Sequence, residues 1–353
     1  MNTEFIRILS SSQNDRRDLF FATANRLGTT LQNVEKDFWV CLVLDVLFNG
    51  RDPSEPRLLF KGGTSLSKAY GLISRFSEDL DITVFREDIG QHVDIENMIS
   101  LSGKQQRIRL NAIKQACQEY IQGPLKNRLN RQISALLRDA NTPCINDPVI
   151  SDPDDPAEQT LLVNYPTVNT EVDPYVKSAV KIEAGAKSAL EPHQLVSIKP
   201  YLAEDVFRAS LTISNIVTIN AERTFWDKVI ILHGLRRWHD HRGQLRQQGH
   251  RISRHYYDVY KLMHSSVGKR AQNNRDLAFD CAQHAQLFFN SKDLDLSCAH
   301  PGSFTIMPTP AMMEPLKQDY KAMAGMIFGE AVDFSMILET ILQLEKNINR
   351  YLL

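Results

Sequence analysis

The chain has 353 residues, with 41 Lys+Arg against 42 Asp+Glu and a formal net charge of -1 at pH 7. Hydrophobic residues make up 42% and charged residues 24%, an ordinary globular composition that excludes a disordered chain, a collagen-like repeat and a disulfide scaffold. Near-zero charge excludes a uniformly basic nucleic-acid coat but leaves room for local basic zones.

The N-terminus, MNTEFIRILSSSQNDRRD, has no apolar signal-peptide core. The longest apolar stretch, Phe38 to Phe48, is broken by Asp45 and is too short to span a bilayer. Cys41, Cys117, Cys144, Cys281 and Cys298 form no CxxC pair, which argues against a disulfide framework and a cysteine zinc site. A protein of the reducing cytoplasm with no membrane partner is the expectation.

Leu31, Val34, Phe38, Leu42 and Val46 recur at helical spacing and predict a helix over 31–49, stopped by Gly50. Residues 51–57 read as a loop. Leu58-Leu59-Phe60 predicts a short buried strand, Gly62-Gly63-Thr64 a turn, and the chain from Ser65 to about Arg75 a helix. Alternation over 79–85 predicts a second strand. Residues 104–138 predict basic helix, with Lys104, Arg107, Arg109, Lys114, Lys126, Arg128, Arg131 and Arg138 against the single acid Glu119. Pro143, Pro148, Pro153 and Pro156 mark 139–158 as loop or linker, and strands are predicted at 160–164 and 176–184. Pro192 and Pro200 mark turns. From about 221 the spacing is helical, broken by a Pro/Gly-rich loop near 301–315, and Met312, Met313, Met323, Met326 and Met336 read as core. The expected class is α+β. Residues 1–215 form a mixed β-sheet flanked by helices, with a helical N-terminal segment and a basic helical insertion; a mostly helical part follows over 216–353.

The informative stretch is FKGGTSLSKAYGLISRFSEDLDITVF, residues 60–85. The glycines let backbone approach a ligand, and the unpaired amides that open a helix suit phosphate, with the Thr64 and Ser65 hydroxyls beside them. Asp79 and Asp81 lie two apart on a strand, so both emerge on one face while Leu80, Ile82 and Val84 take the other. Two such carboxylates repel unless a cation lies between them, and magnesium prefers these ligands with substrate phosphates. In isolation the pair would read as a solvated edge strand; the upstream turn favours metal. Glu183 shares the polar parity of its strand with Lys181, while Val176, Val180 and Ile182 share the other. It is either a third metal ligand or a partner of Lys181.

A glycine turn followed by a strand with alternating aspartates resembles the nucleotidyltransferase superfamily that includes DNA polymerase beta. The fuller wording, KGGTSLSKAY at 61–70 and RFSEDLD at 75–81, is similar to nucleotidyltransferase toxins of the AbiEii/AbiGii type. VEKDFW at 34–39, IEAGAKS at 182–188, AERTFWDK at 221–228 and SRHYYD at 253–258 agree, and the resemblance runs from about 31 to 262. It implies a nucleotidyltransferase fold and four motifs. Gly62, Gly63, Thr64, Ser65 and Lys68 would bind nucleotide, with Thr64 in place of the superfamily's serine. Asp79 and Asp81 would hold metal, Lys228 would contact phosphate, and Asp258 would orient Lys228 or take a proton from the acceptor.

The function so implied is a magnesium-dependent transferase (manganese being the alternative ion) that uses a nucleoside triphosphate and acts as the toxin of a bacterial toxin–antitoxin or abortive-infection system. The acceptor would be RNA, tRNA first. A cognate antitoxin encoded nearby is implied, without a stable complex. Two basic zones, 104–138 and 236–255 with Trp238, favour RNA. The alternatives are transfer to a protein hydroxyl and a catalytically inactive nucleotide- or nucleic-acid-binding module.

Overall fold

The computed structural model describes residues 2–143, 145–169, 178–206 and 210–350, and the chain divides into two units. The first is Met1–Ala69 with Phe76–Ile219; the second is Asn220–Leu353 together with Tyr70–Arg75.

The first unit opens with three helices, α1 (Thr3–Leu9), α2 (Gln13–Leu27) and α3 (Leu31–Asn49), capped at their starts by Asn2, Ser12 and Thr30. Next come β1 (Leu58–Lys61), α4 (Gly62–Lys68) and β2 (Asp79–Val84). The helix expected to reach Arg75 therefore stops at Lys68, and Tyr70–Arg75 joins the other unit. After α5 (Ile95–Ser100), helices α6 (Gly103–Tyr120) and α7 (Lys126–Asp139) run on through a π-helical turn at Ile121–Leu125 that accommodates Pro124.

Five strands complete the unit: β3 (Val149–Ser151), β4 (Thr160–Asn164), β5 (Ala179–Gly185), β6 (His193–Ile198) and β7 (Ile213–Ile219). The sheet order is β3-β4-β5-β2-β1-β7-β6. β2 runs parallel to β5 and β1 parallel to β7, while the remaining neighbours are antiparallel. Residues 176 and 177 of the expected strand lie outside the described residues. β3, β6 and β7 were not expected. β3 has three residues inside a Pro-rich stretch, β6 is a largely exposed edge, and in β7 a left-handed Asn215 (φ 62°) breaks the alternation. Helix α3 packs on β2, β5 and β7 and is buried all round, not along one stripe. Leu80, Ile82 and Val84 are fully buried, so the face assignment of β2 follows the expected parity.

The second unit holds α8 (Ala221–Arg242), α9 (Ser253–Met263), α10 (Ser266–Asn273), α11 (Arg275–Phe289), α12 (Pro310–Met323) and α13 (Phe334–Asn349). His239-Asp240-His241 lies in the last turn of α8. The expected 301–315 loop ends earlier, because Pro310 starts α12 at the position where its missing N–H costs nothing. Phe225, Trp226, Tyr256 and Tyr257 fill the core; Met312 and Met323 are buried with them, but Met336 is exposed. Cys41, Cys117, Cys281 and Cys298 are free thiols, and Cys144 lies outside the described residues. Among the described residues no helix is long and apolar enough to cross a membrane.

Candidate active site

The sheet of the first unit gathers charge on one face. In register, Asp81 stands between Lys61 on β1 and Glu183 on β5, and Asp79 stands beside Lys181. Asp79 and Asp81 are half-buried side chains of one strand face, a donor set that fits a hard divalent cation completed by phosphate oxygens. Among the described residues no three His, Cys, Asp or Glu side chains converge as a metal cluster. Glu183, expected either as a third metal ligand or as a partner of Lys181, has its Oε1 3.0 Å from Lys181 Nζ, which also approaches Asp152 at 3.5 Å. Register also sets it beside Asp81 on the neighbouring strand, the position that a third ligand would require.

The residue that follows β1 must be glycine, and Gly62 shows why. Its φ is +80°, and a Cβ placed there would lie 2.0 Å from Asp81 Oδ2. The turn and the carboxylate therefore occupy touching positions. Gly62→Ala is expected to displace Asp81, suppress transfer, and destabilise the fold by about 1–3 kcal/mol through backbone strain alone. Transfer assays with a urea midpoint check both, and an active, stable G62A protein would contradict this geometry.

The hydroxyls expected to face phosphate turn inward instead. Thr64 and Ser65 are fully buried. Thr64 Oγ1 bonds Ser77 Oγ at 2.8 Å and the Asp79 carbonyl, and Ser65 Oγ donates to the Gly62 carbonyl at 2.9 Å. They brace the turn against β2, because a hydroxyl shut away from water must find its partner inside the protein.

Lys68, expected to bind nucleotide, is engaged inside the protein. Its ammonium lies 2.6 Å from Asp37 Oδ1 and 3.6 Å from the centre of the Tyr201 ring, with both pair members almost fully buried. Asp37 Oδ2 also accepts from the Tyr201 amide at 2.6 Å. An ammonium so committed holds α4 in place. Two neighbours on α3 act alike. Lys36 Nζ reaches Glu78 at 2.5 Å, next to Asp79, and Glu35 accepts from Val168 N at 2.7 Å and Thr167 Oγ1 at 2.6 Å. Burial pushes the Glu35 carboxyl upward, and those two donors pull it back. Glu35-Lys36-Asp37 is therefore a rack for the turn and the aspartate strand. The signal that would have found it is a run of three consecutive charges inside a largely apolar helix.

In the second unit, Lys228 on α8 and Asp258 on α9 meet directly. Lys228 Nζ lies 2.9 Å from Asp258 Oδ2, and Arg75 grips both Asp258 oxygens at 2.8 Å. Asp258 is fully buried. Burial alone would raise its carboxyl, but Arg75 and Lys228 outweigh it and hold the group well below the usual carboxylate range. A carboxylate fixed by two cations is a poor proton acceptor. Two cations share one anion, leaving one excess positive charge. Burial first, then Arg75, accordingly lowers the Lys228 ammonium, and burial with the same cations keeps His255 neutral. Arg75 carried no expectation of its own; only packing shows it.

The basic zones are less free than their composition implies. Arg128 is buried against Glu55 and the Val46 carbonyl. Arg236, Arg237 and Arg242 pair with Asp240, Asp295 and Asp293. Trp238, expected to stack on a base, has the guanidinium groups of Arg242 and Arg246 5.6 Å from its ring centre. Lys104, Arg107, Arg131 and Arg138 on α6 and α7 remain exposed.

No curated protein matches the chain. Among solved structures, MenT4, a nucleotidyltransferase toxin from Mycobacterium tuberculosis H37Rv, is similar over 93% of this chain and 97% of its own, at 14% identity and a TM-score of 0.41. The profile described as "Nucleotidyl transferase AbiEii toxin, Type IV TA system" matches residues 45–340, a span that takes in the glycine turn, both aspartates, Lys228 and Asp258. The chain therefore belongs to the AbiEii family of nucleotidyltransferase toxins of type IV toxin–antitoxin systems.

Proposed function

We propose that the protein transfers a nucleoside monophosphate from a nucleoside triphosphate to RNA, tRNA being the first candidate, with magnesium held by Asp79 and Asp81. The observation that carries this is the placement of the two carboxylates on one half-exposed strand face, with Asp81 touching the Gly62 turn. When bound, the divalent cation supplies Lewis-acid polarisation of the phosphoryl group and of the acceptor hydroxyl. Gly62 and Gly63 offer side-chain-free backbone to the phosphates. Asp79 and Asp81 orient them, and Lys228, held by Asp258, would contact phosphate as the family's motif order implies. The exposed cations of α6 and α7 favour a polyanionic acceptor.

Incubation with α-labelled nucleoside triphosphates, total RNA and cell protein tests this reading. Label in RNA supports it; label in protein, or nucleotide binding without transfer, contradicts it. Lys228→Met is expected to lower the transfer rate about a hundredfold, roughly 3 kcal/mol, with a smaller effect on nucleotide affinity. It leaves Arg75 and Asp258 as a neutral pair, so the fold should persist. Equal losses in rate and affinity in single-turnover assays would show that Lys228 only binds.

A further inference from the structure

Lys61 has a position in this site but no assigned task. It ends β1, stands across from Asp81, and immediately precedes Gly62. Its Nζ is 3.8 Å from Asp81 Oδ1, and both side chains are more than a quarter exposed, at 28% and 29%. That distance is an ion pair without a hydrogen bond. Lys181, beside Asp79 on the other flank, is held by Glu183 at 3.0 Å and Asp152 at 3.5 Å. Cations thus flank the aspartate pair on both sides, one fastened and one loosely held.

We propose that Lys61 is a phosphate-binding residue of the transfer site, which serves as counter-ion to Asp81 until metal and nucleotide arrive and then gives its ammonium to the triphosphate. This rests on the two-carboxylate reading above. Two carboxylates on one strand face repel, and Lys61 offsets part of that repulsion. A divalent cation held by the same carboxylates repels an ammonium only a few ångströms away. The lysine stem is flexible and the head partly exposed, so the head can leave while β1 keeps the root in place. That root is one residue from Gly62, so the ammonium stays within side-chain reach of whatever lies on the turn. A nucleoside triphosphate keeps negative charge after taking up one divalent cation, and a charge-assisted contact replaces the one lost.

The proposal requires opposite effects on metal and nucleotide. Lys61→Met keeps the stem and removes the charge; Lys61→Arg keeps the charge. Mn2+ alone is titrated by the loss of the free-ion EPR signal, and a non-hydrolysable triphosphate analogue is then titrated at saturating Mn2+. K61M is expected to bind Mn2+ more tightly and the analogue more weakly, each by about tenfold. K61R should stay within about threefold of the native protein in both. A loosened fold would weaken both ligands, so the opposite signs separate the proposal from simple damage. Mn2+ affinity unchanged or reduced in K61M, or analogue affinity unchanged, overturns it. Asp81→Asn in the same titrations separates the two levels. If D81N loses Mn2+ while K61M behaves as the native protein, only the role of Lys61 fails. If D81N binds Mn2+ as the native protein does, the two-carboxylate reading fails and this inference with it.

Discussion

Asp81→Asn is expected to abolish nucleotidyl transfer and toxicity while leaving the fold almost untouched. The substitution keeps size and removes the charge that holds metal and orients phosphate, a contribution of several kcal/mol to the transition state. Stability should barely move. Asp81 lies on the half-exposed face of β2, opposite the fully buried Leu80, Ile82 and Val84. Losing its ion pair with Lys61 costs little, because a partly exposed pair contributes about 0–1 kcal/mol, and relief of repulsion with Asp79 acts in the other direction. Asp79→Asn should behave in the same way. The check is label transfer together with host growth and a urea midpoint, at matched amounts of folded protein. Full toxicity of a folded D81N protein would remove the catalytic assignment.

Asp258→Asn is expected to fail differently, through stability. It strips the shared anion from Arg75 and Lys228 and leaves two buried cations facing each other. Breaking such a pair costs about 3–5 kcal/mol, since the remaining charge is uncompensated. Arg75→Met should cost less, because it leaves the neutral Lys228–Asp258 pair. The order D258N below R75M in urea midpoint is therefore the prediction, and the reverse order would contradict the triad as drawn. The pH dependence follows with a definite sign. Because Asp258 is held below its unfolded value, its contribution is fully present above about pH 4 and is lost as pH falls toward the folded-state value. D258N should accordingly lose part of the acid-induced destabilisation that the native protein shows in urea titrations between neutral and acidic pH.

These two aspartates also show how far the residues themselves could be read. Asp81 was legible: alternation with buried Leu80, Ile82 and Val84 assigns its face without any partner, because strand geometry is local. The same holds for Gly62, a turn glycine next to a strand, and for α3, whose apolar spacing carries it from Leu31 to Asn49. Asp258 was legible only through motif order. Its partners, Arg75 and Lys228, lie far away in the chain, and no local pattern names them. Lys68 was expected at the nucleotide because a lysine beside a phosphate turn looks like a ligand contact. Its pairing with Asp37 on α3 is a contact that only packing brings about. Glu183 was left between two roles; its pairing with Lys181 is local to one strand, whereas its place beside Asp81 follows from the register of β5 on β2.

What the sequence by itself determined is the set of local conformations and the chemistry they present: a glycine turn, two carboxylates on one strand face, a helical second half and the order of family blocks. These depend on backbone geometry repeating every two or 3.6 residues, which side-chain pattern records directly. The tertiary structure decided which charges are spent on holding the site and which are left to act. Lys36, Lys68 and Arg75 are buried and paired across the fold, while Lys61 stays loosely held beside Asp81. A buried charge must find its counter-charge wherever packing brings one, and that pairing follows strand register and helix docking, with no trace in the residues to either side.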